Sequence, residues 1–206
     1  MTEFYEFALT ERFDKAFCLA SRLHRTQKRK NIHTPFMCHL MSVCALVTEN
    51  IGFICNDPND AEDFVITAIL HDTIEDQGGQ ETYNLLKKEF GEKIADYVMM
   101  LSDSIPVNGI KPPKAERNEI YKAKLRKAPL GIVLISCCDK IHNLRSMSAD
   151  ALLLKDEIWE AYSEPPANTV NNYKALGDIY RNRLQGQRII EIYDQVLRQI
   201  DGILPA

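Results

Sequence analysis

Apolar residues recur every three or four positions along almost the whole chain, and this spacing constrains the fold more than any other feature. Two sets near the start and the end of the sequence illustrate it: Phe13, Ala16, Phe17, Ala20 and Leu23, and Ile189, Ile192, Tyr193, Val196 and Ile200. The spacing is typical of helices that bury one face. Because the sequence also contains no repeat, low-complexity tract or strand-turn-strand pattern, we predict an all-α fold.

Prolines and glycines indicate where these helices begin and end. Thr34 followed by Pro35 resembles an N-cap and a first helical position, so a helix is expected from there to about Glu49. The segment Asp57-Pro58-Asn59-Asp60 can start the next helix, which runs into His71-Asp72. Another apolar face is formed by Phe90, Ile94, Tyr97, Val98 and Leu101. Further helices are expected over about residues 114–126, 130–147, 167–184 and 187–200, and residues 102–113 should form a loop. Residues 130–135 would also suit a buried strand, but their long apolar continuation favours a helix.

Length and composition limit the class of protein. The 206 residues suit one domain, with a core over about residues 10–150 and additional helices over about 151–206. A hydrophobic fraction of 45% is globular, and a net charge of −4 argues against general nucleic-acid binding. We see neither a signal peptide nor a membrane-spanning run, and the six cysteines form no CxxC pair. We therefore expect a soluble cytoplasmic protein with reduced thiols.

Four residues form a candidate metal site. His39 lies on a predicted helix, the pair His71-Asp72 ends an apolar run, and Asp139 lies within another apolar segment. Two neutral imidazoles and two carboxylates make a mixed nitrogen and oxygen ligand set that suits a divalent cation. Each residue also has an ordinary explanation, such as a core histidine, or an ion pair between Asp139 and Lys140.

Two carboxylates and a basic cluster accompany this set. Glu75 and Asp76 follow one helical turn after His71-Asp72, where a carboxylate can accept a proton in a hydrolytic reaction, although both also suit a solvated helix end. The cluster 25–30 includes Arg29 and Lys30. It is either a solvated helix C-terminus or a clamp that binds phosphate. His24, His33 and His142 are expected not to be ligands.

Together these residues resemble the HD-domain superfamily of metal-dependent phosphohydrolases. More closely, they resemble the guanosine tetraphosphate (alarmone) hydrolases, which include the hydrolase domain of RelA/SpoT proteins and stand-alone small alarmone hydrolases. The resemblance covers about residues 15–147 and is most specific in two segments, His71-Asp72-Thr73-Ile74-Glu75-Asp76 and Asp139-Lys140-Ile141-His142-Asn143-Leu144-Arg145.

The resemblance implies an HD-type helical bundle with additional C-terminal helices. It implies one Mn²⁺ ion, a catalytic role for Glu75 and Asp76, and hydrolysis of ppGpp or pppGpp to GDP or GTP with release of pyrophosphate. It also implies that the metal is bound by His39, His71, Asp72 and Asp139. The residues implied to bind the nucleotide are Arg29, Lys30, Asn143 and Arg145.

Two other interpretations remain open at the level of sequence. One is an HD phosphohydrolase for another nucleotide, such as ppApp, the 2′-phosphate of NADPH or a nucleoside phosphate. The other is a nucleotide-binding sensor without turnover, which the presence of the complete ligand set and both carboxylates disfavours. The expected partner is a small phosphorylated nucleotide. The C-terminal helices could cap the domain or form a homodimer surface.

Overall fold

The computed structural model describes residues 4–103 and 112–203. Within these ranges the chain is helical, and the β pairing is limited to an isolated bridge between Lys28 and Pro35. The predicted all-α fold is therefore confirmed. The α-helices are α1 (Glu11–Leu23), α2 (Met37–Ile51), α3 (Pro58–Leu70), α4 (Thr73–Asp76), α5 (Gln80–Phe90), α6 (Glu92–Leu101), α7 (Lys114–Leu125), α8 (Leu130–Leu154), α9 (Pro166–Arg183) and α10 (Arg188–Asp201). A 3-10 helix, Lys155–Ala161, joins α8 to α9.

Helix α2 begins two residues later than predicted. The Thr34 side chain does not cap it; Thr34 O accepts a hydrogen bond from Arg29 N at 2.8 Å, and Phe36 N donates to Gln27 O at 2.9 Å. These bonds join the two arms of a hairpin-like turn between α1 and α2. Because Thr34 O and Phe36 N are paired across the turn, the helix begins only after Phe36, which is its N-cap residue.

The other boundaries follow local sequence chemistry. The Asp57 side chain accepts hydrogen bonds from Asn59 N and Asp60 N, which caps α3 directly before Pro58 at its first position. Helix α8 includes the segment that would also have suited a strand and runs seven residues beyond the predicted end. Of the expected loop, residues 102, 103, 112 and 113 are outside helices, and residues 104–111 lie outside the described part of the chain.

Helices α3 and α8 form the centre of the core. Every residue of α3 from Ala61 to Leu70 is buried, as is the first part of α8 from Gly131 to Asp139. Helix α2 packs against both, and α10 packs along α8 through buried residues that include Tyr193 and Ile200. The C-terminal helices therefore pack on the same body as the rest of the chain.

This packing places the candidate ligands near one another. His39 is on the first turn of α2, His71 and Asp72 form the turn after α3, and Asp139 is in the middle of α8. All three helices are anchored in the common core, so the side chains at their contact are held by rigid elements. No helix within the described ranges is long and apolar enough to cross a membrane.

Candidate metal centre and adjoining cavity

The ring nitrogens of His39 and His71 converge with two carboxylates. His39 Nε2 lies 3.2 Å from His71 Nε2, 3.4 Å from Asp72 Oδ2 and 3.3 Å from Asp139 Oδ1. His71 Nε2 lies 3.1 Å from Asp72 Oδ2. Both histidines are nearly inaccessible to solvent. Three of the four ligands proposed from the sequence, His39, His71 and Asp72, thus form one compact group. Asp139, from a third part of the chain, adjoins the group through its contact with His39.

The Nδ1 atoms of His39 and His71 form hydrogen bonds that suit metal binding by the Nε2 atoms. His71 Nδ1 lies 2.9 Å from Ala68 O, an acceptor, so this nitrogen carries the proton. His39 Nδ1 lies 2.8 Å from His142 Nδ1. Burial, together with His39 and Arg29, lowers the pKa of His142 to about 4, so its neutral ring can accept a hydrogen bond from His39 Nδ1–H. Both Nε2 lone pairs are then free to coordinate.

These residues fit a divalent cation. Donors about 2.1 Å from a common metal ion are about 3.0–3.4 Å apart. The distances among the donor atoms of His39, His71 and Asp72, and the distance from His39 Nε2 to Asp139 Oδ1, fall in this range. In the neutral state two ring lone pairs and two carboxylates face each other without a donor between them. Although burial opposes it, the carboxylate of Asp72 raises the pKa of His71 to about 9, which shows that this position favours positive charge.

Asp139 has additional partners on its own helix. Lys140 Nζ and Asn143 Nδ2 donate to its carboxylate, each at 2.5 Å. Although burial opposes ionisation, Lys140 and His39 hold the pKa of Asp139 below its usual range. The ordinary explanation for Asp139, a pair with Lys140, is therefore present together with the contact to His39. The two are compatible because one carboxylate oxygen faces each partner.

Glu75 and Asp76 are the last two residues of the short helix α4, and both line a cavity beside the metal cluster. Glu75 Oε2 accepts a hydrogen bond from Asp103 N at 3.0 Å, and Asp76 Oδ2 accepts one from Gln27 Nε2 at 2.7 Å. Asp76 is accessible to solvent, but partial burial of its carboxylate at the cavity wall raises its pKa, and the charge of the neighbouring Asp72 raises it further. A raised pKa suits a group that exchanges a proton near neutral pH.

The cavity has a volume of about 550 Å³ and a mixed charge. One face of α8 forms part of its wall through Asp139, Asn143, Ser146 and Asp150. Other parts of the wall come from the α1–α2 turn, α7, the residue after the 3-10 helix and α9. They include several hydrogen-bonding and aromatic side chains: Asn31, Lys114, Asn118, Tyr162, Asn172 and Tyr173. The cavity is large enough for a nucleotide-sized ligand.

Arg29 and Lys30 both line this cavity. Arg29 Nη2 donates to Asn143 Oδ1 at 2.7 Å, which links the α1–α2 turn to α8. Lys30 is reachable by solvent, but partial desolvation and the nearby Lys114 and Arg29 lower its pKa. Crowded cations of this kind are stabilised when an anion binds among them.

Arg145 is not brought to the cavity with Asn143. It is exposed and does not contribute to the lining. Six residues along a helix from Asp139 correspond to a rotation of about 240°, so Arg145 projects from a different face of α8. The expectation that it lines the pocket with Asn143 does not agree with this geometry.

Sequence reasoning also left out several residues that the structure brings to the site. His142, considered a histidine without a metal role, contacts His39 rather than the centre of the cluster. Gln27 belongs to the basic cluster but contacts Asp76 through an uncharged amide. Tyr121 and Lys114 come from α7, a helix that had no assigned function.

Comparisons with known proteins agree with this arrangement. The family described as HD domain matches residues 16–164. A GTP pyrophosphokinase of Streptomyces coelicolor is 29% identical over 147 residues, which cover 69% of this chain and 15% of the relative. A guanosine-3′,5′-bis(diphosphate) 3′-pyrophosphohydrolase of Aquifex aeolicus is 27% identical over 139 residues, covering 66% and 18%. This chain thus spans less than a fifth of the length of these curated relatives.

Two solved structures share the fold. A metazoan SpoT ortholog, described as hydrolysing ppGpp, superimposes with a TM-score of 0.71 at 22% identity and covers 97% of this chain and 100% of that one. The lmo0812 protein of Listeria monocytogenes gives a TM-score of 0.62 at 18% identity and covers 79% and 97%. Since the family match extends over well over half of the sequence, this chain belongs to the HD-domain family.

Proposed function

We propose that this protein is a metal-dependent hydrolase that removes the 3′-pyrophosphate of guanosine alarmones, converting ppGpp to GDP and pppGpp to GTP. The observation that carries the proposal is the convergence of His39, His71, Asp72 and Asp139 beside a cavity that Arg29 and Lys30 line. The names of the Aquifex relative and of the metazoan structure support this choice of substrate.

The charges of the cavity support a polyphosphate ligand. Arg29 offers a planar fork for bidentate contact with phosphate, while Lys30 and Lys114 are point charges. Burial lowers the pKa of Lys30, and repulsion from Lys114 and Arg29 lowers it further; a bound diphosphate would relieve this repulsion. The hydrogen bond from Arg29 to Asn143 holds the guanidinium at the cavity wall before the ligand arrives.

His39, His71, Asp72 and Asp139 are the proposed ligands of the divalent ion, for which we propose Mn²⁺. When bound, such an ion supplies Lewis-acid activation of water and of a phosphate oxygen. The hydrogen bonds from His39 to His142 and from His71 to Ala68 O keep both Nε2 atoms directed at the ion.

Glu75 and Asp76 are the proposed proton-transfer groups. One carboxylate accepts a proton from the attacking water while the oxygen of that water bonds to phosphorus. The bond between phosphorus and the 3′ oxygen of the nucleotide then breaks. The departing 3′ oxygen takes up a proton, so the products are pyrophosphate and a free 3′ hydroxyl. Asp76 suits the acceptor role because its raised pKa makes it a stronger base than an ordinary aspartate.

A substrate panel tests this proposal. Protein stripped of metal with EDTA is incubated with Mn²⁺ and with ppGpp, ppApp, NADPH or GTP, and the products are separated by anion exchange. We expect Mn²⁺-dependent release of pyrophosphate and GDP from ppGpp. Release of phosphate from NADPH alone, or no turnover of ppGpp, would refute the proposal.

Two variants separate metal binding from folding. Asp72→Ala should abolish both Mn²⁺ binding and turnover, because it removes a carboxylate within 3.4 Å of both ring nitrogens. Asp96→Ala is a matched control: it removes an aspartate of α6 whose partner is the Tyr83 hydroxyl and which does not line the cavity. Equal activity of the two variants would contradict the ligand assignment.

A further inference from the structure

A group of three amide and imidazole side chains lies behind Asp76, away from the metal cluster. Gln27 Nε2 donates to Asp76 Oδ2 at 2.7 Å, and Gln27 Oε1 lies 2.6 Å from His24 Nδ1 and 2.5 Å from Gln77 Nε2. His24 is 1% exposed and stacks on the Phe36 ring, with centroids 5.2 Å apart and planes 16° apart. None of these contacts is required by the metal site.

Asp76 is placed where packing alone does not orient its side chain. It ends the four-residue helix α4, its side chain is accessible to solvent, and Gly78 and Gly79, both with positive φ, follow shortly after. An exposed carboxylate at such an end samples several rotamers unless a hydrogen bond selects one. The contact with Gln27 is a hydrogen bond of this kind.

The direction of the Gln27 amide matters for this contact. An ionised carboxylate accepts hydrogen bonds only, so the NH₂ end of Gln27 must face Asp76. The carbonyl end then points inward and needs donors, because an unpaired buried carbonyl is unfavourable. His24 Nδ1–H and Gln77 Nε2 are placed to be those donors. If the Gln27 amide were flipped, its oxygen would face the ionised carboxylate of Asp76. Its NH₂ group would then face the donors of His24 and Gln77.

The backbone of Gln27 is held as well. Gln27 N donates to His24 O at 3.1 Å, and Gln27 O accepts from Phe36 N at 2.9 Å. The residue is therefore fixed at both ends of the α1–α2 turn. Because the backbone is fixed there, the side chain of Gln27 can hold Asp76 in position through its hydrogen bond to that carboxylate.

We propose that Gln27 is a positioning residue for the Asp76 carboxylate, and that buried His24 sets the orientation of the Gln27 amide. This inference rests on the proposed hydrolytic role of Asp76. Gln27 itself does not contact the reacting atoms. Its effect should therefore appear in the rate of the chemical step and not in the affinity for metal or nucleotide.

Gln27→Glu tests the first part of the inference. The substitution keeps the size of the side chain but replaces the donating NH₂ with a carboxylate oxygen that repels Asp76. We expect kcat to fall about 10- to 100-fold, as for a misplaced catalytic group, with KM and the Kd for Mn²⁺ within about twofold of wild type. An unchanged kcat, or a loss explained by KM alone, would overturn the inference.

Two substitutions of His24 separate hydrogen bonding from packing. His24→Phe keeps an aromatic ring against Phe36 but removes the donor, whereas His24→Asn keeps an N–H donor near the position of Nδ1 but removes the ring. We expect His24→Phe to have the lower kcat and His24→Asn to have the lower melting temperature. The opposite order of kcat would mean that His24 acts only by packing, and would overturn its proposed role.

A spectroscopic measurement makes the contact testable apart from the alarmone reaction. In ¹H–¹⁵N spectra of the metal-free protein, the side-chain NH₂ signals of Gln27 should shift in Asp76→Asn and in His24→Phe. Unchanged signals would overturn the inference whatever the substrate. If the substrate panel identifies a nucleotide other than ppGpp, the proposed function fails, while the kcat comparison is made on that nucleotide and still decides the role of Gln27.

Discussion

Gly131→Ala should destabilise the protein because a methyl group has no room at this position. Gly131 lies in the first turn of α8 and faces Phe64 of α3. A Cβ atom there would lie 2.5 Å from Phe64 Cδ1 and Cε1 and 2.6 Å from Cγ. Carbon atoms pack at about 3.5–4.0 Å, so either the ring or one helix must move by about 1 Å.

The expected loss is the difference between two effects. Alanine stabilises a helix by about 1 kcal/mol relative to glycine, and overpacking a filled core costs about 1–3 kcal/mol. Phe64 is confined because its ring stacks on Tyr97, with centroids 5.2 Å apart, so we place the overpacking near the upper value. The net loss is then about 2 kcal/mol, or about 5 °C in Tm for a chain of this length.

Urea denaturation and calorimetry of the single and double variants measure this effect. In Gly131→Ala/Phe64→Leu the smaller side chain leaves room for the methyl group. The double variant should therefore lose less free energy of unfolding than the two single variants lose in sum. Strict additivity, or a Gly131→Ala protein as stable as wild type, would refute the close approach of α3 and α8. Because Asp72 lies in the turn directly after α3 and Asp139 lies on α8, Gly131→Ala should also weaken Mn²⁺ binding.

Four further outcomes are expected. Mn²⁺ at about 100 times its Kd should stabilise the protein by about 2.7 kcal/mol, seen as a rise in Tm that Asp72→Ala abolishes. Arg29→Ala should raise KM for ppGpp about 10- to 100-fold, since a charged hydrogen bond contributes about 1.5–3 kcal/mol, whereas Arg25→Ala, in the same cluster but outside the cavity, should leave it unchanged. Burial lowers the pKa of His24, so the unfolded chain binds its proton more tightly and stability should fall as the pH drops below 6.5; His24→Phe should reduce this loss in urea titrations at pH 7.5 and 5.5. Ser136→Ala should cost about 1–3 kcal/mol in the free energy of unfolding, because two buried tyrosine hydroxyls lose the oxygen they share.

Local sequence signals predicted most of the helices but not every boundary. The apolar spacing and the Asp57-Pro58 pair located α3, and α8 was recognised as a helix despite its strand-like composition. The start of α2 was misplaced because Thr34 pairs with Arg29 across the turn instead of capping the helix. A capping preference is worth about 1 kcal/mol, which paired backbone groups elsewhere can outweigh.

For the candidate site, the sequence by itself determined the chemistry: which histidines and aspartates occur, that each lies on or directly after an apolar helix, and that two carboxylates follow His71-Asp72 one turn later. Helical periodicity carries this information because it depends only on neighbours along the chain. Applied more strictly, the same periodicity would have excluded Arg145, which lies on a different face of α8 from Asn143.

Only the tertiary structure decided which groups meet across long separations in sequence. The contacts of His39 with His142 and of Gln27 with Asp76 join residues 103 and 49 positions apart. Such contacts arise from the way α2, α3 and α8 bury their apolar faces against one another, and the pattern on a single helix does not encode its angle or distance to the next. The proposed metal ligands could therefore be identified from the sequence, whereas the contacts that orient them depended on packing.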